Sequence, residues 1–248
     1  MKIRFRYSLR LFLIAVTLLA IATGRWNQIA RTERDALAAI TASEGWVVYS
    51  HQLDEKGHFD ANATTVIPNR IQDILGEEYF LRISRVSGLG SKLADRELGV
   101  IARLSQLKSV SNNHVWMGST IGTMIYCNDQ ITADNEHDPI PRSKSRRQSP
   151  ITDKGLNFLA SCRSLESLTI CGEGITNNGV TAIANLPNLR YLNLVSSQIN
   201  DVSVAEFAKI KSLERLDVSG TSITRSGVQK LHKLLPNCKI SDRRNFTG

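Results

Sequence analysis

ITDKGLNFLASCRSLESLTICGEG (151–174), ITNNGVTAIANLPNLRYLNLVSSQ (175–198), INDVSVAEFAKIKSLERLDVSGTS (199–222) and ITRSGVQKLHKLLPNCKISDRRNF (223–246) follow one another with no residue inserted or lost. A fixed period of twenty-four with an L-x-x-L-x-L core implies stacked strand-plus-helix units, because no single unit can bury its own apolar face. The apolar columns are Ile151, Ile175, Ile199 and Ile223, then Leu165, Leu189 and Leu213, then Leu168, Leu192 and Leu216, then Ile170, Leu194 and Val218. LESLTI, LRYLNL and LERLDV alternate as short strands do, with the last two columns pointing inward. GLNFLASC and SVAEFAKI space their apolar residues by three and four, as short covering helices.

Thr152, Asn200 and Thr224 stand where a short polar side chain caps free helix amides. Gly155, Gly179 and Gly227 recur where the chain is expected to turn, with Ser203 the departure in that column. Parallel stacking sets equivalent residues about 4.8 Å apart. Glu166, Arg190 and Glu214 then form a line of alternating charge. The rows Ser167, Tyr191, Arg215 and Thr169, Asn193, Asp217 point away from the core, followed by Cys171, Val195 and Ser219. Either these rows are a solvated sheet surface or they form a concave binding face. In the second case Tyr191 beside Arg215 is the anchor, since those types dominate interface energetics.

The pattern resembles the leucine-rich repeat family, and LASCRSLESLTICGEGIT is similar to the cysteine-bearing variant of ribonuclease-inhibitor-like and F-box-associated proteins. That resemblance implies an α/β leucine-rich repeat solenoid, a short horseshoe of parallel strands with covering helices, built to bind a protein or peptide. The last block keeps only LLPNCKIS where a strand is due, with Asn237 in the place of a core leucine, as expected of a capping repeat.

The array begins before Ile151. In LADRELGVIARLSQLKSV, Leu98, Ile101, Leu107 and Val110 stand where the first block has Leu156, Leu159, Leu165 and Leu168, so one repeat and an insertion separate the two. YFLRISRVSG reads as a further strand. These assignments give degenerate repeats over 79–111, an insertion over 112–150, and four repeats over 151–248. Within the insertion, HVWMGSTIGTMIYC alternates as a hairpin would, and the charged, proline-containing remainder reads as a mobile loop. Asp134, Glu136, His137 and Asp138 are metal-ligand types without a loop motif, and are read as solvated rather than as a metal site.

MKIRFRYSLRLFLIAVTLLAIATGRW opens the chain, with Lys2, Arg4, Arg6 and Arg10 before an uncharged apolar run from Leu11 to Gly24. A crossing wants about twenty residues, and Tyr7 to Trp26 supplies them if Arg10 and Arg25 reach the two interfaces. Alternatively the run is a signal-peptide core, with Ala20-Ile21-Ala22 as cleavage site. Both readings export the rest. The uncleaved anchor is preferred, giving a cytoplasmic basic terminus (1–6) and a transmembrane segment (7–26). A helical stalk (27–45) with Ile29, Ala36, Leu37 and Ile40 on one side follows, then a small α/β cap (46–78) starting with the strand WVVYSHQL. The RYSLR opening before an apolar helix resembles bacterial single-span leucine-rich repeat proteins, which implies an extracytoplasmic repeat domain.

The net charge is +8, but 1–10 and 141–150 carry +4 each, so the remainder is neutral and no basic face for nucleic acid is spread over the domain. Cys127, Cys162, Cys171 and Cys238 are not spaced for zinc; they read as buried thiols, with a Cys127–Cys171 bridge as the alternative. No phosphate-binding loop, nucleophile elbow or H-E-x-x-H occurs, and His51, His58, His114, His137 and His232 are scattered. No catalytic residue, cofactor or metal is expected. Two functions fit: a monomeric membrane-anchored binding module, or a self-associating envelope structural protein.

Overall fold

The structure, a computed structural model, describes residues 9–54, 57–60, 63–65, 67–87, 93–112, 150–196 and 198–242. Among these, seven strands form one sheet in chain order: β1 (Trp46–Tyr49), β2 (Ile83–Ser87), β3 (Ser109–Ser111), β4 (Ser167–Cys171), β5 (Tyr191–Val195), β6 (Arg215–Asp217) and β7 (Lys239–Ser241). β1 runs antiparallel to β2, and every later pair is parallel. The register aligns Val86, Val110, Leu168, Leu192, Leu216 and Ile240 in one inward line, as the sequence columns require. Between strands lie α3 (Asp95–Ile101), α4 (Asp153–Leu159), α5 (Asn177–Ile183), α6 (Val204–Phe207) and α7 (Arg225–Leu234), while α1 (Leu9–Ala42) and α2 (Asn69–Leu75) precede them. The core is continuous from Ala36 and Ile40 of α1 to Leu235 and Cys238. In the last block Cys238, not Asn237, turns inward, so the strand survives the lost leucine.

Helices of seven residues do not persist alone, because nucleation costs more than one turn returns. Their first amides are satisfied from two directions. Within each repeat, Thr152, Thr176, Asn200 and Thr224 accept from Lys154, Asn178, Val202 and Gly227 respectively. Between repeats, Asp95 takes the Thr152 amide at 2.8 Å and its hydroxyl at 2.6 Å. Asp153 holds Thr176 in the same way at 2.8 and 2.7 Å, and Asp201 holds Thr224 at 2.8 and 2.6 Å.

The recurrent glycines belong to this ladder. Gly155, Gly179 and Gly227 do not turn the chain; each lies within the first turn of its helix. A β-carbon on Gly155 would meet Asp95 Oδ1 at 2.7 Å, and on Gly179 and Gly227 it would run into Asp153 and Asp201. Ser203 breaks the column where the acceptor is Asn177 instead of an aspartate. Its hydroxyl donates to Asn177 Oδ1 at 2.6 Å, the Asn200 amide donates to the same oxygen, and Asn177 Nδ2 donates to Asn200 Oδ1 at 3.1 Å.

At the other end, the expected stalk is not a spacer. α1 is continuous, and Ala30, Glu33, Ala36 and Ile40 are buried on the face packed against the first repeat. Leu37 is exposed, contrary to the sequence grouping. The Trp26 indole donates to the Tyr79 carbonyl at 2.7 Å, the Tyr79 hydroxyl to Asn27 at 3.0 Å, and Arg34 pairs with Glu78. The expected strand over WVVYSHQL stops at Tyr49, after which Ser50–Gln52 form a 3₁₀ turn.

Only 3% exposed, Glu33 accepts the Ile83 amide at 3.0 Å. Burial raises its pKa, against the pull of that bond and of Arg82. The charged form is therefore disfavoured in the folded state: the stabilising contribution of the neutral acid is complete below 4.5 and is lost as pH rises through the raised value. Glu33→Gln is expected to melt above wild type at pH 7 and to lose that advantage as pH falls toward 4.5, read by circular dichroism melts across pH. For the ladder, Asp153→Ala is expected to cost about 2–4 kcal/mol and Gly179→Ala about 1–3 kcal/mol in urea unfolding. The double variant should cost less than their sum by about 1 kcal/mol, since removing the carboxylate frees space for the new methyl; full additivity would contradict the ladder.

Candidate binding face

The strand register creates the candidate site. Ser167, Tyr191, Arg215 and Lys239 are paired in sequence across β4 to β7, and Thr169, Asn193, Asp217 and Ser241 form the next row. Alternation along each strand sends both rows to the face opposite the core line. Arg215 and Lys239 are exposed, and Ser167, Thr169 and Tyr191 are half-buried. Asn193 and Asp217 differ from the sequence expectation: at 4% and 3% exposed, neither offers surface to a partner. Asp217 Oδ1 accepts from the Ser219 amide at 2.9 Å, which turns the carboxylate toward its own backbone. The face left by the structure is thus Ser167, Thr169, Tyr191 and Arg215, extended by Lys239.

Charges flank this face at the strand starts. Lys108 pairs with Glu166 at 3.1 Å, and Arg190 with Glu214 at 2.5 Å. The Arg190 pKa is raised first by its hydrogen bond to Glu214, with Glu166 also contributing. The alternating line foreseen for Glu166, Arg190 and Glu214 is therefore present, and Lys108 extends it into the degenerate repeat. All four side chains are well exposed, so each pair contributes at most about 1 kcal/mol. What the pairs supply is order, because they hold long side chains along the strand starts and away from the Tyr191 row.

Asn112, unremarked in the sequence, completes the sheet where the chain leaves for the insertion. Its Oδ1 accepts the Cys171 amide at 2.9 Å and its Nδ2 donates to the Cys171 carbonyl at 2.7 Å, so a side-chain amide stands in for the next backbone rung. The clue available was position: Asn112 follows the last paired residue of β3.

Of the cysteines, Cys162 and Cys238 are free and buried, as read. Burial pushes the Cys162 thiol up to about 11, which leaves it a hydrophobe rather than a nucleophile. Cys171 is disulfide-bonded, while Cys127 lies outside the described residues. So do the expected hairpin from His114 to Cys127 and the group Asp134, Glu136, His137 and Asp138. His51 stacks on Tyr49, His58 pairs with Asp54, and His232 is exposed on α7, so these three imidazoles occupy separate places. Among the described residues no three or more His, Cys, Asp or Glu side chains gather as metal ligands.

By length and composition α1 contains a helix fit to cross a membrane, from Phe12 onward, and Phe12, Leu13, Ile14, Leu18, Leu19 and Ile21 are all exposed. No curated protein matches the chain. The leucine rich repeat family model matches residues 163–223, which span the end of the first block, the second and third blocks and the start of the fourth. Domains of this kind generally bind protein partners and are typically non-enzymatic. The stack of strands and short helices has the architecture of a leucine-rich repeat solenoid, and its central blocks are similar to that family.

Proposed function

We propose that this chain is a membrane-anchored binding module that holds a protein or peptide ligand on the concave strand face of its repeats, outside the cytoplasm. The observation that carries the reading is the in-register row Ser167, Tyr191, Arg215 and Lys239, with both cations exposed and Arg215 next to Tyr191. Tyrosine and arginine supply large contact area and donors at small entropic cost, the composition of interface hot spots. The paired charges along Lys108, Glu166, Arg190 and Glu214 leave Arg215 and Lys239 to meet an acidic or carbonyl-rich ligand.

The anchor rests on the exposed apolar length of α1 and on the basic residues Lys2, Arg4, Arg6 and Arg10 before it, which by the positive-inside rule stay cytoplasmic. The array would then face the periplasm or the cell surface as a monomer, with no cofactor.

The test is crosslinking capture from the native membrane fraction, comparing the wild-type chain with Tyr191→Glu/Arg215→Glu. These side chains are not buried in the core, so circular dichroism should show an unchanged fold. A partner recovered with wild type should fall by roughly a hundredfold with the double variant, as the loss of two anchors implies. Equal recovery would overturn the concave-face reading, and recovery of the chain alone by both baits would favour the self-associating structural role.

A further inference from the structure

We propose that the junction of α1 with the repeat domain is a binding site for the phosphate of an anionic phospholipid; the inference rests on the reading that α1 spans the bilayer. A shallow groove of about 450 Å³ lies there, lined by Leu18, Ile21, Ala22, Arg25, Trp26, Ile29 and Arg82. One end is apolar and lies on the exposed side of the helix, with Leu18 at 61% and Ile21 at 55% exposure. The other end carries two guanidinium groups, and no carboxylate lines the groove.

The two arginines have different mechanical roles. Arg82 is fixed: its Nη1 donates to the carbonyls of Glu78 and Leu81 at 3.0 Å, and its Nη2 to that of Tyr79 at 3.3 Å. Those three bonds leave Nε–H and one Nη2 proton, in a fork whose orientation the backbone sets. Arg25 is exposed one turn beyond Ile21 and adjacent to Trp26. Trp26 closes the groove toward the domain, through its bond to the Tyr79 carbonyl and an edge contact with Phe80 at 6.2 Å. Glu33 is a carboxylate that acts on Arg82; it is buried, accepts the Ile83 amide and stands outside the groove lining, so one carboxylate is set against two guanidinium groups. The groove therefore keeps a net positive charge.

Depth selects the ligand. The uncharged run from Leu11 to Gly24 is shorter than a bilayer core of about 30 Å at about 1.5 Å per residue. A short span draws the flanking arginines and the aromatic residue to the headgroup layer and brings the domain down with them. Leu18, Ile21 and Ala22 then face acyl chain while Arg25 and Arg82 stand at phosphate level. Guanidinium forks match phosphate oxygens in number and plane, and an anionic headgroup leaves the phosphate charge uncompensated by choline.

The experiment uses the full chain, first washed in its membrane with alkaline carbonate to score insertion. It is then extracted into micelles doped with phosphatidylglycerol or phosphatidylcholine, and retained lipid is counted by native mass spectrometry. Wild type is expected to retain phosphatidylglycerol preferentially, and Arg25→Gln to lower that retention roughly fivefold. Arg31→Gln, outside the groove, should leave it unchanged. Arg82→Gln should act as Arg25→Gln does; if it fails to fold because Arg82 holds the Glu78–Leu81 carbonyls, Arg25→Gln alone decides. Equal retention by wild type and Arg25→Gln in an inserted chain overturns this inference and leaves the anchor standing. Release of the chain by carbonate overturns both.

Discussion

A carboxylate at the third position of one repeat holds the second residue of the next. Asp95, Asp153 and Asp201 each accept a threonine amide and hydroxyl from the following block, with distances that agree within 0.1 Å between rungs. Seven-residue helices leave most of their amides unpaired, and a negative charge near the N-terminus offsets the helix dipole. Each repeat therefore depends on its predecessor for the start of its helix. The glycine column follows from this, since any β-carbon there would occupy the space of the carboxylate. The asparagine rung keeps the same logic with other chemistry. Asn177 accepts from the Asn200 amide and the Ser203 hydroxyl through Oδ1, and its Nδ2 also donates to Asn200 Oδ1, which an aspartate could not do. In the last block the position holds Arg225, which offers no acceptor, and the ladder stops at Thr224.

Because the ladder is local, the array tolerates interruption. Asp95 reaches Thr152 across 57 positions with the bonds that Asp153 makes to Thr176 across 23. The strand ladder is equally indifferent: the Glu166 amide meets the Lys108 carbonyl at 2.8 Å, and Arg190 meets Glu166 at the same distance. An insertion placed after β3 costs the stack one backbone rung, and the Asn112 side chain replaces that rung. Loop closure grows only slowly with length, so this arrangement is thermodynamically mild.

The inward columns, strand order, register, caps and charge line were legible because a strict period turns sequence offsets into spatial neighbours. Glycine at positions 155, 179 and 227 was misread as turn residues, since sequence shows a missing side chain without showing what approaches it. The Asp95, Asp153 and Asp201 column was equally visible, yet a carboxylate after a cap residue signals only its own helix dipole; its cross-repeat bond needs the stacking distance. Asn193 and Asp217 share alternation with Tyr191 and Arg215, but depth depends on what lies over a face, which period does not encode. On the stalk helix the apolar side was read as Ile29, Ala36, Leu37 and Ile40; Glu33, which shares the buried face with Ala36 and Ile40, was absent from that grouping because its partner, the Ile83 amide, lies fifty residues away.

The union of α1 with the first repeat has a consequence for the face. Bonds joining Trp26, Asn27 and Arg34 to Glu78 and Tyr79, and the burial of Ala30, Ala36 and Ile40, fix the domain to the helix through several turns. A domain on a loose linker would sample many orientations, and a ligand would have to select among them at an entropic cost. With α1 across a bilayer, the β1–β2 end of the sheet lies beside the anchor, and successive strands lie about 4.8 Å apart. The Tyr191 strand then lies about 19 Å along the sheet from β1, in the same continuous stack. A row of half-exposed side chains on short strands has little freedom of its own. The proposed binding role asks that this row be held in a fixed arrangement, and the carboxylate ladder together with the packed helix does so.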